Sequence, residues 1–219
     1  MIGFLHVDLG GAEAELDYEC ASLMVQSARK LMPRVPVVQF TDMGTKRVKH
    51  VSDVRRKPSE PMGLLRMRHC AGVDGHWLFV DTDVVFQQPV EQVFKRTFEI
   101  GVTSRNWSHM KDATGFSDRM PFNTGVVFSK CPRFWGEVYT RLRSLDPDLQ
   151  HFMGEQQLIN EVALDGRYHV KTFSGEAYNF PPLMPDTMSP NKIQNRASIL
   201  HYKGLERKQM MVGRVEQCA

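Results

Sequence analysis

Short apolar runs and helix-spaced apolar positions alternate along the chain. Ile2 to Asp8 reads as a short buried strand, and Gly10-Gly11 breaks it. Leu16, Cys20, Leu23, Met24, Ala28 and Leu31 then recur at three- and four-residue steps, which predicts a helix over 13–32. Pro33 and Pro36 end it. Val35 to Phe40 is a second apolar run, closed by Thr41-Asp42. Strand, helix and strand in that order predict an α/β sheet. Residues 43–58 are polar and basic without a period and read as a loop. Ser59 can cap a helix that has Pro61 in its first turn and runs to Cys70.

Trp77-Leu78-Phe79-Val80 is continuously apolar, as expected of a central strand covered on both faces. It stops at Asp81-Thr82-Asp83. A short helix is expected over Pro89–Phe94 and strands over Glu99–Ser104 and Thr124–Phe128, with a long polar loop over 105–121 between them. Pro132 opens a helix marked by Phe134, Trp135, Val138, Tyr139 and Leu142; Leu158, Ile159, Val162 and Ala163 mark another. Tyr168 to Phe173 reads as a strand, 181–195 as a proline-rich loop, and Ser198 to His201 as a last short strand before a basic tail. No repeat or linker divides the chain.

Composition narrows the class. At roughly 150 residues per domain, 219 residues fit one domain over 1–219. A chain that is 42% hydrophobic and 24% charged is neither disordered nor of low complexity. No apolar run approaches the roughly 20 residues needed to span a bilayer, and the start lacks the basic segment of a signal peptide. The net charge of +3 is too mild to mark a nucleic-acid binder. Cys20, Cys70, Cys131 and Cys218 are far apart and form no CxxC, so reduced thiols and a cytoplasmic location are expected.

The sharpest chemistry is the pair Asp81 and Asp83 at the end of an apolar strand. Ligands bind at that end of an α/β sheet, and two neighbouring carboxylates there suit a hard divalent cation. A helix cap and an exposed turn residue are the structural alternative. One family with such a pair is the haloacid dehalogenase phosphatases, whose first Asp is a nucleophile. Their motif lies near the N-terminus and needs a later lysine and a second acidic cluster on a strand end. Here Asp146-Pro147-Asp148 follow a helix instead.

Four further segments follow an order that fits better. Arg66 precedes the Asp pair, and Asn123-Thr124-Gly125-Val126, Glu155-Gln156-Gln157-Leu158-Ile159-Asn160 and His201-Tyr202-Lys203-Gly204 come after it. In this order and spacing the chain resembles glycosyltransferase family 8, the glycogenin and bacterial galactosyltransferase type, over nearly its whole length. The resemblance implies an α/β fold with a single GT-A (Rossmann-like) domain, its mixed central sheet flanked by helices. It implies metal-dependent, retaining transfer of a sugar from a nucleotide-diphosphate sugar, a UDP-sugar above all, to a hydroxyl. A catalytically silent GT-A module is the alternative. Glu155 stands where the family has Asp, Arg207 (with Lys208 beside it) stands where it has Lys, and the Pro-Trp that often follows is absent. These departures leave the acceptor open.

The resemblance assigns a divalent metal to Asp81, Asp83 and His201. The metal expected is Mn²⁺ in the first place, or Mg²⁺; imidazole with carboxylates is a mixed donor set that suits Mn²⁺ better than Ca²⁺. It turns Arg66 toward the donor sugar or the motif carboxylates. Asn123 would bond a sugar or close the turn. Glu155 and Gln156 would face the donor sugar and the reacting carbon. Gly204, Arg207 and Lys208 would receive the diphosphate through backbone approach and positive charge. Asp8 and Asp42, by position at strand ends, would flank nucleobase and ribose. Lys46, Arg47, Lys49, Arg55, Arg56 and Lys57, against Asp53, read as a solvated loop or as the contact for an anionic acceptor such as modified DNA or an anionic glycan.

Overall fold

The computed structural model describes residues 1–11, 13–56, 61–107, 116–182 and 197–216. The opening follows the pattern: β1 (Ile2–Leu5), α1 (Ala14–Leu31) and β2 (Val37–Asp42), with β1 and β2 paired in parallel. Acidic Glu15 and Asp17 in the first turn of α1, and basic Arg29 and Lys30 in the last, suit the helix dipole. The expected loop over 43–58 ends instead in a strand, β3 (Ser52–Arg56), parallel to β2 at the sheet edge. α2 (Met62–Ala71) leads back to β4 (Trp77–Val80), and Pro61, not Ser59, precedes its first residue. Ser59 lies outside the described residues.

Beyond the Asp pair come the short β5 (Val84–Phe86), a 3-10 turn at Glu91–Lys95 and β6 (Ile100–Ser104). A four-residue turn of helix, α3 (Phe116–Arg119), occupies part of the expected 105–121 loop and leads into β7 (Phe122–Ser129). α4 (Pro132–Arg143), α5 (Phe152–Leu164), β8 (Val170–Phe173), α6 (Gly175–Tyr178) and β9 (Ile199–His201) follow. The basic tail is largely a helix, α7 (Leu205–Glu216). Among the described residues no helix is long and apolar enough to cross a membrane.

Seven strands form a mixed sheet in the order β3-β2-β1-β4-β7-β6-β8, and β5 pairs with β9 in a separate antiparallel ribbon. Among the described strands of the large sheet, β7 alone runs against the rest. Alternation along β4 feeds two cores. Leu78 and Val80 join Ile2, Phe4 and the buried face of α1; Trp77 and Phe79 join Phe40, α2, α4 and α5. α4 shows why its sequence folds this way. Pro132 suits the first turn, and Phe134, Trp135, Val138 and Leu142 form its buried stripe. A third cluster of Cys20, Phe180, Leu200, Tyr202 and Met211 seats α7 and β9 on α1. Cys20, Cys70 and Cys131 are buried free thiols; Cys218 lies outside the described residues.

Candidate active site

The C-terminal ends of β1 and β4, the start of α2, Glu155 on α5 and the segment after β9 line one open cleft of about 560 Å³. β4 delivers Asp81 and Asp83 to its floor. The β5–β9 ribbon sets His201 opposite Val84, which brings the ring back over both carboxylates. His201 Nε2 lies 3.1 Å from Asp83 Oδ1 and 3.6 Å from Asp81 Oδ2. One ligand atom from each of the three residues falls within 4.8 Å of the others. β7 passes directly behind. A Cβ at Gly125 would stand 2.2 Å from His201 Cε1 and 2.8 Å from Asp81 Oδ2, so the glycine of the Asn-x-Gly segment makes room for the cluster.

These residues fit a divalent cation. Asp83 Oδ1 is buried and has no hydrogen-bond partner among the described residues. Leaving such an oxygen unsatisfied costs about 1–3 kcal/mol or more, and a cation on it removes that cost.

Arg66 ties the cluster to α5. Its guanidinium lies 3.1 Å from Asp81 Oδ1 and 3.1 Å from Glu155 Oε1, and donates to the Thr124 carbonyl at 3.1 Å. Glu155 is 2% exposed, and burial pushes its pKa up to about 7 against the pull of Arg66. Removing one partner of a buried pair like this costs roughly 3–5 kcal/mol. Gln156 points elsewhere: its Oε1 accepts from Arg105, whose Nε donates to the Phe122 carbonyl at 3.1 Å. Gln156 is absent from the cleft lining. Asn123 is buried within β7, and its Oδ1 accepts from the Gly125 N–H at 2.9 Å.

Two cations line the cleft from the C-terminal side, Lys203 and Lys208, with Gly204 between them in its wall. Gly204 has φ +91°, the left-handed region that favours glycine. Burial, with Arg105 nearby, lowers the Lys203 pKa, and Asp17 at 2.6 Å outweighs burial to raise that of Lys208. Arg207 turns away and donates to the Pro182 and Lys203 carbonyls, each at 3.1 Å.

Asp8 lies in an adjoining groove with His6, Tyr18 and Lys46, and its Oδ1 accepts from the Gly10 N–H at 2.8 Å. Asp42 accepts from the N–H groups of Gly44 at 3.0 Å and Thr45 at 2.7 Å; the Thr45 hydroxyl first, then these two N–H groups, hold its carboxyl below the usual range despite some burial. Of the basic segment, Arg47 and Arg55 both pair with Asp53, Arg55 also donates to three carbonyls, and Lys46 sits 4.5 Å from the centre of the Tyr18 ring. Lys57 lies outside the described residues.

Lys203, one of the cations that follow His201 in the sequence, lies in the cleft wall. The structure adds one residue that the sequence does not single out. Asn179, fully buried, bonds to His201 Nδ1 at 2.8 Å. Nothing in Tyr178-Asn179-Phe180 marks it by type or spacing.

The strand order, the reversed β7 and the acidic pair at the end of β4 define a GT-A type of α/β fold. The galactosyltransferase LgtC, solved with donor and acceptor sugar analogues, superposes with a TM-score of 0.57 over 97% of this chain and 95% of its own, at 13% identity. An active-site mutant of LgtC gives 0.55 at 13% identity, over 97% of this chain and 95% of that one. The glycosyltransferase GlyE of Streptococcus pneumoniae TIGR4 gives 0.61 at 12% identity, over 99% of this chain and 63% of that one. No protein-family model and no curated protein matches the chain.

Proposed function

We propose that this chain is a metal-dependent glycosyltransferase that moves a sugar from a nucleotide-diphosphate sugar, a UDP-sugar in the first instance, to a hydroxyl acceptor. The observation that carries the reading is the convergence of Asp81, Asp83 and His201 at the floor of a cleft walled by Lys203, Gly204 and Lys208. Acids that gather a cation beside cations that gather phosphate suit a nucleoside diphosphate. The shared fold with LgtC and GlyE supports it. A bound Mn²⁺ or Mg²⁺ would supply Lewis-acid neutralisation of the leaving diphosphate.

The chain's own residues would do the rest. Asp81, Asp83 and His201 would hold the metal. Lys208 and the backbone at Gly204 would receive the phosphates. Arg66, fixed by Glu155, would face the sugar. The bond from the anomeric carbon to the phosphate oxygen breaks, and the acceptor oxygen bonds to that carbon. The acceptor proton passes to the departing phosphate. This front-face course retains the anomeric configuration. Glu155 is committed to Arg66, and Gln156 is turned into the protein, so neither is placed as an attacking group. An anionic acceptor is the finer expectation for the basic segment, although Asp53 already neutralises part of its charge.

The test is release of UDP from UDP-glucose or UDP-galactose with Mn²⁺. EDTA and Asp83→Ala should each abolish it, with circular dichroism of the variant unchanged. Full activity in either case, or hydrolysis of p-nitrophenyl phosphate in place of UDP release, would overturn the proposal. NMR of the transfer product reads the linkage, and an inverted one removes the front-face course. A polyanionic acceptor predicts transfer that weakens with salt.

A further inference from the structure

The cluster contains a chain of hydrogen bonds whose direction is forced. It begins at the Asn123 carbonyl, which accepts from Thr103 Oγ1 at 2.9 Å; the Val126 carbonyl lies 3.4 Å from the same oxygen. Carbonyls only accept, so the single hydroxyl proton of Thr103 is spent on the backbone. Thr103 therefore offers lone pairs to its remaining neighbour, the Asn179 amide at 2.7 Å. The amide must present its NH₂ there, and this group also points toward the Asn123 carbonyl at 3.5 Å. Its oxygen then faces the other way, onto His201 Nδ1 at 2.8 Å. An amide oxygen only accepts, so Nδ1 carries the proton. Nε2 is left as the nitrogen that faces Asp83 and Asp81, at 3.1 and 3.6 Å.

All four residues are buried: Thr103 and Asn179 fully, Asn123 and His201 to 2% exposure. Bulk water is thus kept from supplying the opposite polarity. Turning the amide over would take the hydroxyl proton from the Asn123 carbonyl. It would also set an N–H against Nδ1, moving the ring proton to Nε2 and blocking that nitrogen as a ligand.

We propose that Asn179, held by Thr103, is the positioning residue that fixes the tautomer and direction of His201. This rests on the reading of Asp81, Asp83 and His201 as a metal site. Asn179 acts through the ring and touches neither metal nor substrate. The polarity originates in the backbone of Asn123, so the strand that clears space for the cluster also orients its one imidazole. Outer partners of this kind raise the basicity of the ligating nitrogen and hold the ring in line with the ion.

The test uses the full chain without metal. Long-range ¹H–¹⁵N NMR of the His201 ring, recorded above the ordinary histidine range, reads which nitrogen carries the proton. Calorimetry with Mn²⁺ reads affinity. Wild type should show Nδ1–H. Asn179→Leu should lose that preference and bind Mn²⁺ roughly 10–100-fold more weakly. Asn179→Asp keeps an acceptor for Nδ1–H and should recover most of the affinity. A bare Nδ1 in wild type overturns the inference and needs no variant that must fold. So does Asn179→Leu with unchanged tautomer and affinity, or Asn179→Asp no better than Asn179→Leu. Nδ1–H lost in Asn179→Leu, in a chain that binds no Mn²⁺ and transfers no sugar, supports the hold on the ring while removing the functional reading, so the two failures are distinct.

Discussion

Gly125→Ala is the smallest change that should separate the site from the fold. The added Cβ would lie 2.2 Å from His201 Cε1, 2.7 Å from Nδ1 and 2.8 Å from Asp81 Oδ2. Carbon atoms pack comfortably at about 3.5–4.0 Å, so an overlap of about 1.3 Å must be absorbed. The strand is poorly placed to yield. Gly125 lies in β7, its carbonyl accepts from the Asp81 N–H at 2.9 Å, and its N–H is held by Asn123 Oδ1 at 2.9 Å. The ring yields instead, and its bond to Asn179 breaks or stretches as it does. Overpacking of this kind costs about 1–3 kcal/mol of stability, which a chain this size survives. A misplacement of about 1 Å at a reacting site costs on the order of 100-fold in rate. Gly136→Ala is the control. It lies on α4 with nothing within 4 Å of the added carbon and should stabilise the helix by about 1 kcal/mol. Melting curves with and without Mn²⁺, together with UDP release, decide it. If Gly125→Ala keeps both the wild-type Mn²⁺ dependence of Tm and the wild-type rate, the crowding argument is wrong.

Lys208 lines the cleft and Arg207 does not. A charge-assisted contact is worth roughly 1.5–3 kcal/mol, so Lys208→Ala should raise the donor KM about tenfold or more. Arg207→Ala should lower Tm and leave the donor KM within about twofold; equal effects on KM would refute the assignment. His69, stacked on Phe40, has its pKa pushed down to about 4 by burial, with Arg56 and Arg68 adding to it. The folded state therefore holds it neutral, and its contribution is complete above the unfolded value of about 6.5 and lost as pH falls toward 4. Chemical denaturation between those limits should lose up to about 3 kcal/mol more in wild type than in His69→Gln; equal losses would refute it.

The parts of the fold that could be read from the chain are those whose side chains are buried on a regular period. β4 and β7 are covered on both faces, so Trp77–Val80 and Val126–Phe128 read as unbroken apolar runs; α1 and α4 bury one stripe each. β3 escaped because an edge strand needs little apolar cover. Its residues Ser52-Asp53-Val54-Arg55-Arg56 are half-buried or exposed, and its pairing with β2 is a matter of backbone. α7 escaped for a similar reason. Met211 is its one fully buried apolar residue among those whose side chains are described; Met210 and Val212 are only partly buried and Leu205 is exposed.

At the site, Asp81, Asp83, His201, Arg66 and Glu155 are brought together as their order along the chain suggested, but helix phase decided which neighbour faces the cleft. Successive residues on a helix point about 100° apart. Glu155 therefore meets Arg66 while Gln156 meets Arg105. α7 begins at Leu205, so Leu205 and Lys208, three apart, share the cleft face and Arg207 leaves it. No spacing rule fixes such a phase until the helix start is known. Asn123 carries the same lesson further. Its type suggested a hydrogen bond to sugar or a turn closure, and in the fold its side chain accepts from the Gly125 N–H inside β7 while its carbonyl takes the Thr103 proton. The β6–β7 register shifts between Gly101 and Thr103, and that irregularity sets Thr103 opposite Asn123. Backbone irregularities leave no trace in residue type. A motif can therefore be read correctly as a unit, Asn-x-Gly behind an acidic pair, while what each of its atoms does becomes visible only when the strands are laid side by side.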